Sequence, residues 1–307
     1  MNTSPSGWLI IDKPLGMTSN QVVGGVRRHL GIKGCGHAGT LDPLASGVLP
    51  IALGEATKTV AYAQTGSKDY AFTIRWGEFR TTDDFEGDVC ETSPKRPTEE
   101  DILSILPRFI GEIQQVPPAY SAIKVDGKRA YALARAGQDV KLAARTVLVH
   151  DLRLVDMPSA DEARFEVTSG KGFYVRSLGH DISSALGCAG YISALRRKRV
   201  GHFSLTHAMG WDAFTSHESS EVLANYLLPI ETALDDIPAL AATRQEAWRL
   251  RHGQTVLLTV AHRDLLTPSG RSEITGNGEV AVYSEGRLVA LGAISGNVLR
   301  SVRGFNL

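Results

Sequence analysis

The chain has 307 residues, 43% hydrophobic and 21% charged, with 33 basic residues balanced by 33 acidic ones, enough to bury one large core or two modest ones. No apolar run is long enough to span a bilayer and the first residues lack a signal-peptide pattern, so a globular cytoplasmic protein is expected. Cys35, Cys90 and Cys188 are widely separated and form neither a CxxC pair nor a cluster with His, which argues against a disulfide framework and a structural zinc.

In chain order, Leu9-Ile10-Ile11 followed by Asp12-Lys13-Pro14 reads as a short buried strand ending at a turn. Ser19 then caps a helix with Val22, Val23, Val26 and Leu30 inward and Gly31 as its stop. Residues 70–76 alternate apolar and polar, as in a half-buried strand that Tyr70 begins. Thr98 with Glu99, Glu100 and Asp101 starts a helix whose inward stripe is Ile102, Ile105, Leu106 and Phe109. Strands are expected over 164–168 and 173–176, on either side of Ser169-Gly170-Lys171-Gly172. A helix follows with Leu178, Ile182 and Leu186 on one face. Short strands over 279–283 and 287–291 close the chain as a small, mostly β region. Strands and helices without regular βαβ alternation indicate an α+β fold.

A net charge of zero does not favour a nucleic-acid partner, but the charges are unevenly placed. Arg196, Arg197, Lys198 and Arg199 are consecutive, and Lys124, Lys128, Arg129 and Arg135 recur among Tyr120 and Tyr131. Both groups are candidate phosphate-facing patches. Acid gathers instead at Asp83, Asp84, Glu86, Asp88 and Glu91, which implies a polarised surface.

The residues best placed for chemistry lie in Thr40-Leu41-Asp42-Pro43. Pro43 fixes its own φ and biases Asp42 away from helical geometry. The mostly apolar run over 44–53 provides a buried layer behind the acid. Asp42 is therefore expected to stand dry and oriented at a cleft wall, where surroundings can tune a carboxylate.

Gly39-Thr40-Leu41-Asp42-Pro43-Leu44-Ala45-Ser46-Gly47 resembles the signature of the TruB family of tRNA pseudouridine synthases. The resemblance extends through Gly7-Trp8-Leu9-Ile10-Ile11-Asp12-Lys13-Pro14, Val116-Pro117-Pro118-Ala119-Tyr120-Ser121-Ala122-Ile123-Lys124 and Ser169-Gly170-Lys171-Gly172-Phe173-Tyr174-Val175-Arg176. It implies a catalytic domain of pseudouridine synthase type over 1–232, built on a mixed, mainly antiparallel sheet. A small C-terminal β-rich, PUA-like RNA-binding domain over 233–307 is implied by weaker matches at 250–254 and 287–292. That region reads as acidic overall, and its removal is expected to weaken tRNA binding more than chemistry.

By the same resemblance Asp42 is the catalytic nucleophile, and Tyr70 of Lys68-Asp69-Tyr70 lies against the target base and serves proton removal. Arg176 pairs with the Asp, and Tyr174 beside it contacts the substrate. Leu195 packs on the base, and Lys58 and Lys13 lie near the cleft. His37 of Gly36-His37 fills the space left by an extruded uridine, since a base inside folded RNA must leave its stack to be modified. The implied substrate is the T arm of tRNA, at the T-loop uridine of position 55. No cofactor or metal is expected, nor a membrane or an obligate protein partner, and the protein is expected to be a monomer. Attack at C1′, attack at C6 and elimination to a glycal remain equally open.

A noncatalytic RNA-folding protein could keep such a fold and flip a base, but binding alone requires no nucleophile, so Asp42, Tyr70 and Arg176 together favour an enzyme. No GxxxxGK[ST] loop or clustered His/Asp set supports a nucleotide- or metal-dependent one.

Overall fold

The computed structural model describes residues 5–121, 123–125, 127–138, 140, 142–259, 262 and 278–307; Ala122 of the quoted family stretch lies outside them, as do the side chains of Lys124 and Arg129. Gly7–Lys13 (β1) is apolar at successive positions, so both of its faces need cover. Leu9 and Ile11 pack with Val22 and Val26 of the helix Ser19–His29 (α1), whereas Trp8 and Ile10 pack toward a second sheet at the end of the chain. The cap of α1 is Thr18, not Ser19. Its hydroxyl accepts from the Gln21 N–H, and its own N–H donates to Gln21 Oε1, a reciprocal cap that leaves Ser19 free to turn inward.

Cys35–His37 (β2) pairs antiparallel with Ala45–Leu53 (β3), and β3 pairs antiparallel with β1 along its length. Lys68–Trp76 (β4) begins two residues before Tyr70. Across the main sheet the order is Met209–Gly210, β1, β3, Gly190–Val200, β4, Glu162–Ser169, Arg145–Ser159, Gly111–Gln115. Two of these neighbouring pairs are parallel, β1 with Met209–Gly210 and β3 with Gly190–Val200; the others are antiparallel. The fold is α+β with a mixed, mainly antiparallel sheet.

Thr98 caps the helix Glu99–Ile105 through a reciprocal bond with Asp101. The chain then continues as a 3₁₀ turn, Leu106–Phe109, because Pro107 cannot extend an α-helical ladder. The strand expected over 173–176 does not form. After Gly172, at φ +85°, Tyr174 is the cap residue of the helix Val175–Ala185, which places Arg176 in its first turn. Val175, Leu178 and Ile182 of that helix bury against Phe72 and Ile74 of β4.

Ala239–Ala241, Gly278–Ser284, Arg287–Ser295, Val298–Gly304 and Val256–Leu257 form the second sheet in that order, covered by the helix Arg244–Arg251. Its Ala281, Leu288 and Leu291, with Phe305, join Trp8, Ile10 and Val48 in one buried cluster. The terminal β-rich region thus shares a core with the first strand of the chain. Over 233–307 the sequence has eight Arg against seven Asp or Glu, so this region is not acidic, contrary to expectation. No helix among the described residues is long and apolar enough to cross a membrane.

Candidate active site

The loop that carries Asp42 is tethered at each residue from Gly39 to Pro43. Arg197 Nη2 donates to the Gly39 carbonyl at 3.0 Å and Nη1 to that of Thr40 at 3.4 Å. Ser19 brackets Leu41, its Oγ accepting the Leu41 N–H at 2.8 Å and donating to the Leu41 carbonyl at 2.9 Å. The Asp42 carbonyl accepts from Ala45 N–H at 3.1 Å, and that of Pro43 from Gly16 N–H at 2.8 Å and Lys13 Nζ at 3.4 Å. With Leu41, Leu44 and Ala45 buried behind it, the backbone is fixed and Asp42 lines a cavity of about 510 Å³. The carboxylate is oriented but not dry. Its side chain is 36% exposed, so water exclusion must come with whatever fills the cavity.

Arg176 Nη2 lies 2.9 Å from Asp42 Oδ2. The same guanidinium donates to the carbonyls of Thr82 at 3.0 Å and Tyr120 at 2.8 Å, and its Nε stands 3.6 Å from Asp84 Oδ2. Helix placement explains the reach: in the first turn of Val175–Ala185 the side chain points back toward the N-terminus. Asp84, read from the sequence as part of a surface acidic cluster, is buried and accepts from Thr82 Oγ1 at 2.5 Å and Glu86 N–H at 3.0 Å. Burial pushes its carboxyl above the usual range, opposed by the Thr82 bond and the Arg176 charge.

On the adjoining strands Tyr70 pairs with Arg197 and Phe72 with Leu195, so the two-residue alternation puts all four on one face. Tyr70, Leu195 and Arg197 line the cavity with Tyr174. Burial pushes the Tyr70 phenol up, while the facing Arg197 guanidinium opposes the rise. The Tyr174 backbone is clasped by Gln115, accepting from its Nε2 at 3.0 Å and donating to its Oε1 at 2.8 Å. Its ring stands under Arg145, 5.0 Å from centroid to guanidinium.

Two expected members lie elsewhere. Lys58 donates to Glu55 at 2.7 Å and to the Gly304 carbonyl at 2.7 Å, beside Phe305; it ties the 3₁₀ turn Gly54–Thr59 to the last strand of the second sheet and does not line the cavity. His37 sits on β2 opposite Ile51, with Nδ1 buried and unbonded. Burial and the Arg197 charge lower its pKa, so its ring is neutral at pH 7. Lys13 is fully buried and donates to the carbonyls of Pro14 and Met17 as well as Pro43; burial pulls its ammonium down to about 8.

The basic run at 196–199 does not stand as four free surface cations. Three of its members meet carboxylates of other strands, one strand away for Asp69 and two for Asp12 and Glu166: Arg196 meets Asp12 at 2.6 Å, Lys198 meets Glu166 at 2.7 Å, and Arg199 meets Asp69 at 2.6 Å. Arg197 is interior. Among the described residues no group of three His, Cys, Asp or Glu is placed to hold a metal ion.

Residues 27–175 match the TruB family pseudouridylate synthase N-terminal domain, and 176–235 match the tRNA pseudouridylate synthase B C-terminal domain. The chain is 52% identical to tRNA pseudouridine synthase B of Bradyrhizobium diazoefficiens, over 98% of this chain and 86% of that protein. It is 51% identical to the protein of that name from Nitrobacter winogradskyi, over 98% and 83%. In fold it resembles a solved Cbf5-Nop10-Gar1 complex, with a TM-score of 0.73 at 26% identity over 98% of this chain and 85% of the matched one. The chain belongs to the TruB family of pseudouridylate synthases.

Proposed function

We propose that the protein is a tRNA pseudouridine synthase that takes the uridine at position 55 of the T loop out of its stack and isomerises it in the Asp42 cavity, with Asp42 as nucleophile. The observation that carries the reading is one carboxylate clasped by the buried Arg176 on the wall of a cavity of about 510 Å³ beside Tyr70 and Leu195. Such a volume suits a nucleoside, and extrusion costs a few kcal/mol that a fitted pocket can return. The names of the close relatives supply tRNA as the substrate class. Leu195 and Tyr174 hold the base, the neutral His37 ring serves substrate shape, and Tyr70 moves protons. The enzyme acts as a cytoplasmic monomer without cofactor, the part over 1–232 carrying the chemistry. The PUA-like part over 233–307 adds RNA contact, its exposed Trp248 packing at a tilt against His252 beside exposed Arg249 and Arg251.

The test is to incubate purified protein with unmodified tRNA transcript and map pseudouridine, comparing Asp42→Asn. Product at position 55 from the wild type and none from the variant is expected. Wild-type rates from Asp42→Asn would reject the nucleophile, and binding without product from either protein would favour an RNA-folding role.

A further inference from the structure

Arg197 differs from the other three cations of its run. It is 1% exposed, and among the described residues no carboxylate lies within ion-pair distance of it. Its donors go to neutral partners: Nε to the Val48 carbonyl at 2.8 Å, and its Nη atoms to Gly39 and Thr40. The remaining direction faces the Tyr70 hydroxyl and the cavity. A buried cation out of ion-pair contact is costly, Asp42 acting on it only from farther off, and two glycines let its strand and its guanidinium sit close to the chain around Asp42. A Cβ on Gly47, at φ +105°, would stand 2.1 Å from the Arg197 carbonyl oxygen, and one on Gly39, at φ +98°, would stand 3.4 Å from Nη1.

We propose that Arg197 is a positioning residue of the reaction, which registers the Asp42 loop against Tyr70 and holds a fixed positive charge beside the hydroxyl that exchanges protons with the substrate. This rests on the pseudouridine reading given above. Isomerisation exchanges the N1–C1′ bond for C5–C1′ and the C5–H bond for N1–H, so no net proton is consumed: the Tyr70 hydroxyl gives its proton to N1, and the phenolate oxygen left behind then takes the C5 proton. The oxygen gains negative character during that exchange, and a preorganised charge that need not move stabilises it. Three carbonyl bonds hold the guanidinium in place for the task.

The test uses the full-length protein and unmodified tRNA transcript, with single-turnover rates from pH 6 to 9, tRNA affinity and thermal melting. R197K keeps a charge, but buried ammonium groups in this interior, Lys13 and Lys68, are pulled to about 8. R197K is therefore expected within about 10-fold of wild type at pH 7 and to lose rate steeply above about pH 8, where the guanidinium of the wild type stays charged. R197M is expected roughly 100-fold slower at pH 7 with tRNA affinity kept. An R197K profile parallel to wild type at every pH, or R197M as fast as R197K at pH 7, overturns the proposal. If R197M shows no cooperative melting, the R197K profile decides alone. A wild type that makes no pseudouridine would instead sink the functional reading itself.

Discussion

Arg176 approaches Asp42 from the closed side of the cavity: the guanidinium is 4% exposed, the carboxylate it touches 36%. The protein thus invests its buried contacts in the cation and leaves the acid reachable. Arg176→Lys keeps the charge but cannot serve Asp42, Asp84 and the Thr82 and Tyr120 carbonyls together. Its pseudouridine rate should fall roughly 100- to 1,000-fold. Arg176→Ala also leaves Asp84 buried without its cation and should lose about 3–5 kcal/mol in denaturant unfolding. Wild-type unfolding of Arg176→Ala would show that Asp84 needs no partner.

Gly47 answers to a different constraint, since its φ of +105° and the close approach of the Arg197 backbone both exclude a side chain. Gly47→Ala should destabilise the parallel pairing of β3 with Gly190–Val200 by about 1–3 kcal/mol from backbone strain alone, with more from the clash. Urea midpoints compared at unchanged slope would read it, and a midpoint equal to wild type would refute it.

Lys58 ties the 3₁₀ turn Gly54–Thr59 to the second sheet, so its loss should be felt in stability and not in chemistry. Lys58→Met should cost about 1 kcal/mol, the partial exposure of the pair tempering the value of a charged hydrogen bond. The single-turnover rate should stay as in wild type. A slowed rate with unchanged unfolding would return Lys58 to the substrate.

The loop that carries Asp84 is also tied down by His180, whose Nδ1 lies 3.0 Å from Asp83 Oδ1 while its ring packs on Phe79. The Asp83 bond raises the His180 pKa above its ordinary value. A histidine raised in the fold contributes stability that is complete below its unfolded value, about 6.5, and is lost as pH climbs through the folded one. Asp83→Asn should lower the His180 titration followed by NMR and narrow its stability gap from wild type as pH rises past that window. An unshifted His180 titration would rule the coupling out.

Much of the catalytic loop was legible because its determinants are local: Pro43 beside Asp42, the apolar run of β3, and turn glycines. Two-residue alternation set Tyr70 on a strand, but its place at the site, like that of Leu195, came only from the family resemblance. Arg176 was assigned a partner on the family resemblance but set on a strand, since Phe173, Tyr174 and Val175 carry β-type side chains and only tertiary packing selects the helix. Arg197 and Asp84 were misread as surface charge, because burial of an ion depends on which backbone carbonyls or cations the fold brings to it. Ser19 looked like a cap, but Thr18 one position earlier completes the box with Gln21, and the contact of Ser19 with Leu41 spans 22 positions. The placement of Lys58 was equally non-local, as its second partner, Gly304, lies 246 positions away.

Trp8 and Phe305 share one buried cluster, although nearly the whole chain is translated between them. At about 5–20 residues per second the ribosome needs roughly 15–60 s to cover that interval. During that time the indole waits for the residue that completes its surroundings. Nascent chains halted before the last strand should therefore be chaperone clients, their Trp8 side of the core still uncovered.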